Sequence, residues 1–541
     1  MTVSNRYSLI ALSVSGGVFS GLAWTGWCPG LILLFSFVPF FLIEDRIYNN
    51  RERYTPNAFF IYLLPGFFAF SIMTLGWMRV ATMIGAITVI LGMTFLMSFT
   101  MWLAHIVRLR AGNIPGFIAL VSFWLSLEFA TLNINIITPW INLGNGLAKD
   151  ILFIQWYEFT GTGGGSLWIL LSNLLLATAV VNYSRGNRRY KINIAYWLIL
   201  LILPSFYSLT RYYTIKQTSS KESEVVIVQP NSDPYSEKYR IPFYEQLENV
   251  IGIAAGSSTK NSDWIITPET TVDDPVDLEA PSEDRYIRLI KKLARRFPDA
   301  SVVTGLVSFK IYPPALNPPT KSARIKDESG AYYDYYNSAF RIDTGEIIEV
   351  YHKSKLVPGI EMQFSNSLGR FAAKILPYLG GTKWGYGIQN ERSCFEHPLL
   401  HYKVAPIICY ESAFGNYVAK YVRNGAEALF IITNDGWWKN TDGYRQHLTF
   451  ASLRAIETRR PVARAANTGI SCIIDIRGKR TLESEWWVPA VLRGKIYPES
   501  AITMYVKYGD YIFFISLIIS LVILVIVFAA IPLLKKIRNS A

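Results

Sequence analysis

The sequence predicts two kinds of structure in one chain: eight membrane helices, and an α/β layered domain inserted between the seventh and the eighth. Three observations carry this. Apolar runs of membrane-spanning length crowd the stretch before residue 211 and recur once at the C-terminal end. From about Thr214 the composition turns to charged residues with short β-rich runs, alternating with amphipathic helical patterns. Lys and Arg gather on one side of the apolar runs. The composition agrees, with 51% hydrophobic residues and a mean hydropathy of +0.23 beside 53 Lys+Arg. Residues 1–213 are therefore read as a first membrane part, 214–509 as a domain in water, and 510–541 as a last helix with a basic tail.

A spanning helix takes about 20 apolar residues, because the hydrocarbon core is about 30 Å thick. The candidate spans run near Leu9–Trp27, Gly30–Ile43, Ala58–Trp77, Ile84–Ile106, Gly116–Ile134, Gly165–Val181 and Ile192–Leu209, and then Tyr511–Leu534. The second is short, and a full crossing and a re-entrant segment both stand. The first has the outline of a signal peptide, but further spans follow and no small-residue cleavage site is evident, so it reads as a retained helix.

With a cytoplasmic N-terminus, the inside loops hold Arg46, Arg51 and Arg53, then Arg108 and Arg110, then Arg185, Arg188, Arg189 and Lys191. The tail adds Lys535, Lys536 and Arg538, whereas the short outside loops hold only Arg79 and Lys149. This asymmetry places residues 211–510 on the far side of the membrane. It also accounts for much of the net charge of +13, and argues against a nucleic-acid partner. One outside loop, 138–158, is aromatic and nearly free of Lys and Arg. Trp140 and Trp156 read there either as an interfacial belt or as a lip through which lipid enters.

In the water-facing domain, Val225–Val228, Trp264–Ile266, Val302–Thr304, Ala339–Ile342, Ile347–Tyr351, Val404–Cys409, Leu429–Ile432 and Cys472–Ile476 read as buried strands. Ile287, Ile290, Leu293, Ala294 and Phe297 make one apolar helical face. Such alternation indicates an α/β layered domain with sheets covered on both faces. Three strands end in reactive groups: Glu269 after Trp264-Ile265-Ile266-Thr267-Pro268, Lys353 after Tyr351-His352, and Cys409 after Ile407-Ile408. Ligand and catalytic groups of α/β sheets collect at strand ends. A thiol is a nucleophile only as thiolate. A carboxylate can take its proton, and an ammonium can hold the oxyanion of a tetrahedral intermediate. The three residue types together make a nucleophile, base and oxyanion donor for acyl transfer.

Glu269, Lys353 and Cys409 resemble the Glu-Lys-Cys triad of the nitrilase superfamily. The whole chain is similar to that superfamily's integral membrane branch, the apolipoprotein N-acyltransferases. The resemblance rests on Val228-Gln229-Pro230-Asn231, Thr267-Pro268-Glu269, Tyr336-Asn337-Ser338-Ala339, Tyr351-His352-Lys353 with Leu356-Val357-Pro358, and Cys409-Tyr410-Glu411. Thr433-Asn434-Asp435-Gly436-Trp437-Trp438 and Arg464-Ala465-Ala466-Asn467-Thr468-Gly469 complete it. It implies an αββα sandwich between the seventh and eighth helices, in a multi-pass protein of the bacterial inner membrane with its catalytic domain periplasmic. It implies acyl transfer from a phospholipid, phosphatidylethanolamine above all, through a Cys thioester to the N-terminal amine of a diacylglyceryl-cysteine lipoprotein. A monomer without cofactor or metal is expected. Residue by residue, Glu269 matches the base, Lys353 the oxyanion residue and Cys409 the nucleophile. Glu361 matches a second acidic residue, either balancing charge at Lys353 or forming a structural ion pair. Glu411 reads as support for Lys353 or a loop, and Tyr410 and Asn337 as pocket walls. Trp140, Trp156, Trp384, Tyr386 and Trp437 are the candidate lipid or acceptor contacts.

The chain departs from the family where Val357-Pro358-Gly359-Ile360-Glu361 replaces Val-Pro-Phe-Gly-Glu, which puts the local turn in question. The stretch Phe371–Asn390 combines glycines with Tyr378, Trp384 and Tyr386, and reads as a mobile lid or as an ordinary glycine-rich loop. Of the four cysteines, Cys28, Cys394 and Cys472 lack a reactive context, and no CxxC or Cys/His spacing marks a zinc site. A disulfide from Cys394 stays open in an oxidising compartment. Two rivals remain: a membrane-anchored amidase with water as acceptor, and a transporter using Glu128 and His105, which leaves the triad unexplained.

Overall fold

Two units divide the chain in the computed structural model: one comprises Met1–Arg79, Ile84–Thr214 and Tyr508–Ala541, the other Val80–Met83 and Ile215–Lys507. The structure describes residues 3–135, 137–217, 219–326, 328–362 and 385–530.

The first unit holds α1 (Val3–Leu22), α2 (Leu33–Ser36), α3 (Val38–Asn49), α4 (Pro56–Leu75), α5 (Met83–Ala111), α6 (Asn113–Asn133), α7 (Tyr157–Ser184), α8 (Tyr190–Thr214) and a C-terminal helix Tyr511–Val525. Among the described residues, six helices are long and apolar enough to cross a membrane: Pro56–Val80, Met83–Ala111, Asn113–Asn133, Tyr157–Ser184, Tyr190–Thr214 and Tyr511–Ala529. They coincide with the third to eighth expected spans. The first two differ from expectation. α1 ends at Leu22 rather than near Trp27, and the second span is broken into α2 and α3 at Phe37.

The break has a partner. Asn173 of α7, fully buried, accepts from the backbone N–H groups of Phe37 (2.8 Å) and Val38 (3.0 Å) and donates to the Leu33 carbonyl (2.7 Å). Backbone groups freed by a helix break in an apolar setting need such partners. A similar logic joins α1 to α4. Pro65 sits inside α4, and the next amide, Gly66 N–H, donates to Ser13 Oγ at 3.0 Å. The two helices touch so closely that a Cβ on Gly17 would fall 1.9 Å from the Gly66 carbonyl oxygen. Small residues at such crossings let backbones approach.

The two ionisable residues weighed as a transport path are structural ties. Glu128 accepts from Leu143 N–H (2.8 Å), Trp124 Nε1 (2.9 Å) and Ser166 Oγ (2.5 Å), pinning the loop between α6 and α7. His105 Nδ1 lies 2.6 Å from Glu44 Oε1, and the same carboxylate pairs with Arg108.

The second unit is built on two sheets. Its strands are β1 (Ser223–Gln229), β2 (Trp264–Ile266), β3 (Val272–Asp277), β4 (Ser301–Tyr312), β5 (Arg324–Ile325), β6 (Tyr332–Ile342), β7 (Glu349–His352), β8 (Phe395–Glu396), β9 (Lys403–Ile408), β10 (Ala426–Thr433), β11 (Val462–Ala466), β12 (Cys472–Ile474), β13 (Arg480–Glu483) and β14 (Ala490–Ile496). One sheet runs β14-β1-β2-β4-β6-β5, with β3 on β4 and β7 on β6. The other runs β13-β12-β11-β10-β9-β8. Trp264 of β2 meets Phe430 of β10 edge-on, with ring centroids 5.0 Å apart, so the sheets face each other.

Helices α9 (Phe243–Ser257) and α10 (Arg285–Arg296) cover the first sheet: Leu247, Val250, Ile287 and Ile290 share one core with Val226, Ile265 and Phe340. Helices α11 (Gly415–Arg423) and α12 (Asp442–Thr458) pack on the second. The result is four layers, α-β-β-α. Strands β3, β5, β8, β11, β13 and β14 escaped the sequence reading. β3 reads Val-Asp-Asp-Pro-Val-Asp, too acidic for a buried-strand pattern; β5 and β8 have two residues each; and β13 and β14 are mostly exposed or half-buried, as edges are.

Asn173→Leu should remove the side-chain partner of three backbone groups at the α2–α3 break, Phe37 N–H, Val38 N–H and Leu33 O. Each group left unpaired costs about 1–3 kcal/mol, so a marked fall in melting temperature of the purified protein in detergent is expected. An unchanged melting temperature would show that the break does not need Asn173.

Candidate active site

The carboxylate is placed first. Beyond β2 the chain stays bound to β4: Thr267 N–H donates to Val303 O (2.9 Å), Gly305 N–H to Pro268 O (3.1 Å) and Thr271 N–H to Gly305 O (2.8 Å). Glu269 is thus fixed at a strand end. Gly305 lies so close that a Cβ there would be 2.6 Å from Glu269 Cα, leaving room for glycine alone.

The ammonium is placed by β6 and β7. Lys353 N–H donates to Asn337 O at 2.8 Å, and Lys353 Nζ donates to Glu269 Oε1 (2.9 Å) and Glu361 Oε1 (2.8 Å). Asn337 Nδ2 donates to the same two oxygens, at 2.8 Å to Glu269 and 3.3 Å to Glu361. The unusual turn before Glu361 closes through Gly359 at φ +76°, while Val357 N–H donates to Glu361 Oε2 at 2.8 Å. The departure from the family pattern therefore still brings the carboxylate to Lys353.

Cys409 follows β9 and opens a short 3₁₀ turn, Cys409–Ala413, with its own backbone left-handed at φ +49°. Glu411, wholly buried, holds this turn. It accepts from Ile408 N–H (2.9 Å), Ser354 N–H (2.8 Å), Tyr351 OH (2.7 Å) and Tyr417 OH (2.5 Å). One carboxylate thereby joins the Cys409 turn to the residue after Lys353.

Charge in this cluster is finely balanced. Burial pushes the Glu269 carboxyl up, but Lys353 and the hydrogen bonds from Lys353, Asn337 and Cys409 outweigh it and hold the carboxyl below its ordinary range. Burial pushes the Lys353 ammonium down, and Glu269 and Glu361 more than reverse this, so Lys353 stays charged. Burial, then the Glu269 charge, pushes the Cys409 thiol well up against the pull of Lys353. At rest the site holds an ionised Glu269, a charged Lys353 and a protonated thiol.

The remaining expected residues fall into separate places. Tyr410 is buried with its ring edge-on to Phe414 (5.1 Å). Tyr386 is half-buried, and its N–H donates to Glu361 O at 2.9 Å, next to the site. Trp437 is half-buried against Tyr235, with ring centroids 5.6 Å apart. Trp140, expected as a lipid or acceptor contact, is only 1% exposed and packs on Trp77 inside the helical unit. Trp156 is half-buried between Tyr157 and Trp168. Trp384, and residues 371–384 of the expected lid, lie outside the described residues. All four cysteines are free thiols.

Sequence reasoning gave no role to Asp435, His447, Arg464 or Ser412. Asp435 and Arg464 stood inside quoted motifs, whereas His447 lies on α12 outside any motif, and only tertiary contact reveals it. Cys409, Asp435 and His447 bring their ligand atoms within 4.8 Å of one another, the spacing of a loose metal site. Arg464 already donates to Asp435 at 2.5 Å and supplies the cation there. Asp435 is raised by burial, but Arg464 and His447 hold it well below the usual carboxylate range.

The carbon-nitrogen hydrolase family profile matches residues 214–505, and the profile of the apolipoprotein N-acyltransferase N-terminal domain matches residues 16–175. An apolipoprotein N-acyltransferase of Chlorobaculum tepidum is 27% identical over 514 residues, 92% of each chain. That of Geobacter metallireducens is 26% identical over 517 residues, 93% of this chain and 90% of the relative. Among solved structures, a yeast (Saccharomyces cerevisiae) member of branch 10 of the nitrilase superfamily aligns with 53% of this chain and 93% of its own, at 14% identity and a TM-score of 0.36.

Two outcomes follow from this geometry. Gly305→Ala should push Glu269 aside while leaving Lys353 and Cys409 in place. A shift of order 1 Å costs about 10²-fold in turnover, and wild-type turnover would show that Glu269 tolerates the displacement. The second concerns acid. Glu269 has a folded-state value below its ordinary 4.5, so its contribution to stability is full above 4.5 and is lost as pH falls through the lowered value. The melting-temperature gap between wild type and Glu269→Gln should hold steady from about pH 8 to about pH 5 and shrink only at more acid pH. A gap that closes near neutrality would contradict the ionised, paired carboxylate.

Proposed function

Because this chain belongs to the carbon-nitrogen hydrolase family, we propose that it is a membrane-bound acyltransferase that moves a fatty acyl chain from a phospholipid to the N-terminal α-amine of a diacylglyceryl-cysteine lipoprotein. One observation carries the reading: a buried Glu269–Lys353 pair beside Cys409, in a chain whose described residues include six helices of membrane-crossing length. The relatives' printed name, apolipoprotein N-acyltransferase, supports the choice of donor and acceptor. Residues 1–213 and 510–541 are the membrane part, in eight helices, and 214–509 the catalytic domain. The Lys/Arg asymmetry favours a periplasmic catalytic domain in the bacterial inner membrane. Phosphatidylethanolamine is the donor we favour, and the enzyme acts as a monomer.

The chemistry proceeds in two halves. Glu269 takes the Cys409 proton as Sγ attacks the ester carbonyl carbon, and Lys353 Nζ holds the oxyanion that forms. Collapse breaks the ester C–O bond. The leaving lysophospholipid oxygen receives the proton from Glu269, and the acyl group stays as a thioester. Glu269, ionised again, then takes a proton from the acceptor amine as its nitrogen attacks the thioester carbonyl. The second collapse breaks the C–S bond, and Glu269 returns the proton to Cys409 sulfur. Glu361 shares the Lys353 ammonium with Glu269, so the ammonium keeps a carboxylate partner in both halves.

Hydrolysis of the same thioester by water is the second reading, and single-turnover decay separates the two. With phospholipid alone, wild type, Cys394→Ala and Cys472→Ala should form a hydroxylamine-sensitive adduct seen by intact mass, and Cys409→Ala should not. A diacylglyceryl-cysteine peptide with a free amine should discharge it rapidly as N-acyl peptide, and the N-acetylated peptide should not. Release of free fatty acid at the same rate with and without the peptide would favour the hydrolase.

A further inference from the structure

We propose that His447, backed by Asp435 and Arg464, is a positioning residue that holds Cys409 in its reactive backbone conformation. The inference rests on the reading of Cys409 as nucleophile. A left-handed backbone at a non-glycine residue is disfavoured and persists only where surrounding contacts determine it. At Cys409, φ +49°, the group to be held is its carbonyl. Two side chains face that oxygen: Ser412 Oγ donates to it at 2.7 Å, and His447 Nε2 lies 3.1 Å from it. Ser412 Oγ and His447 Nε2 are themselves 2.9 Å apart.

His447 cannot turn away. Its Nδ1 lies 2.9 Å from Asp435 Oδ1, and Trp438 packs edge-on against the ring with centroids 5.3 Å apart. Asp435 in turn accepts from Thr433 Oγ1 (2.8 Å) and from Arg464 Nη2 (2.5 Å), and all of these polar side chains are buried. The supports come from three elements: α12 carries His447, the turn after β10 carries Asp435, and β11 carries Arg464. His447 alone of the three reaches the Cys409 carbonyl oxygen, and Asp435, itself held by Arg464, acts on that oxygen through the ring. The same turn also reaches the base, because Asn434 N–H donates to Glu269 Oε2 at 3.2 Å. Asp435 thus lies between the turn that steadies the base and the ring that steadies the nucleophile. The two contacts that reach Cys409, from Ser412 and His447, run to its backbone carbonyl.

The test uses the full-length enzyme in detergent containing phospholipid. His447→Leu should lower the rate constant of thioester formation by about 10²-fold, the scale of a misplaced reacting group. The phospholipid KM and the melting temperature should stay near wild type. His447→Gln, which keeps an N–H donor of similar reach, should recover part of the loss. A merely structural histidine would lower the melting temperature and leave the rate constant of the folded fraction unchanged, and that result overturns the proposal. If His447→Leu fails to fold, Asp435→Asn carries the same test: it keeps the shape, removes the charge that orients the ring, and should show the same loss of rate constant at unchanged KM. Wild-type rates in folded Asp435→Asn would also overturn the proposal. A parallel assay with p-nitrophenyl butyrate reads acylation of Cys409 without a phospholipid. Should wild type react with this ester but never with phospholipid, the proposed function fails, and the positioning role is decided by the same variants on the ester.

Discussion

The catalytic unit turns on one buried ammonium. Lys353 is 1% exposed, and taking such a charge out of water costs several kcal/mol unless opposite charge and hydrogen bonds surround it. Here Glu269 and Glu361 each bond Nζ, and Asn337 donates to both carboxylates. Burial, and after it the Glu269 charge, keeps the neighbouring thiol protonated against the pull of Lys353. The nucleophile is then created only as its proton moves to Glu269. That shift leaves the total charge of the cluster unchanged, so the site need not stabilise a free thiolate beforehand. Lys353, already in place, meets negative charge when it develops on the substrate oxygen.

The second constraint is geometric. The reacting groups come from facing sheets: Glu269 and Lys353 from one, Cys409 from the other. Sheet packing alone sets such distances loosely, and buried polar groups refine them. Glu411 binds the amides of Ile408 and Ser354 at once, tying the strand end before Cys409 to the loop after Lys353. Gly305 presses the backbone of Glu269 from the strand beside it. Buried networks of this kind are costly when half-satisfied and specify one arrangement when complete.

The helical unit follows the same rule in a different setting. Its buried polar residues serve backbone groups that helix breaks and loops would orphan: Asn173 at the α2–α3 break, Ser13 beside Pro65, and Glu128 at the loop after α6. An ionisable residue in an apolar helix invites a functional reading, yet Glu128 and His105 each have all their work in hand within the unit.

The sequence by itself determined that membrane-length helices flank an α/β domain, and where most of its strands lie, because hydrophobic length and periodicity are local properties. It also marked Glu269, Lys353 and Cys409, since reactive residues at the ends of apolar strands stand out along the chain. Only the tertiary structure decided the rest. Edge strands β13 and β14 take their place by pairing rather than by apolar content, and acidic β3 by its ladder with β4. The break at Phe37 depends on an asparagine 136 residues away. Trp140 reads as a surface aromatic and is core, because its neighbours come from distant helices. His447 lies 38 residues from the carbonyl it faces and carries no mark of its own in the sequence. Partners such as these are fixed by packing between elements far apart in the chain, and no local pattern encodes them.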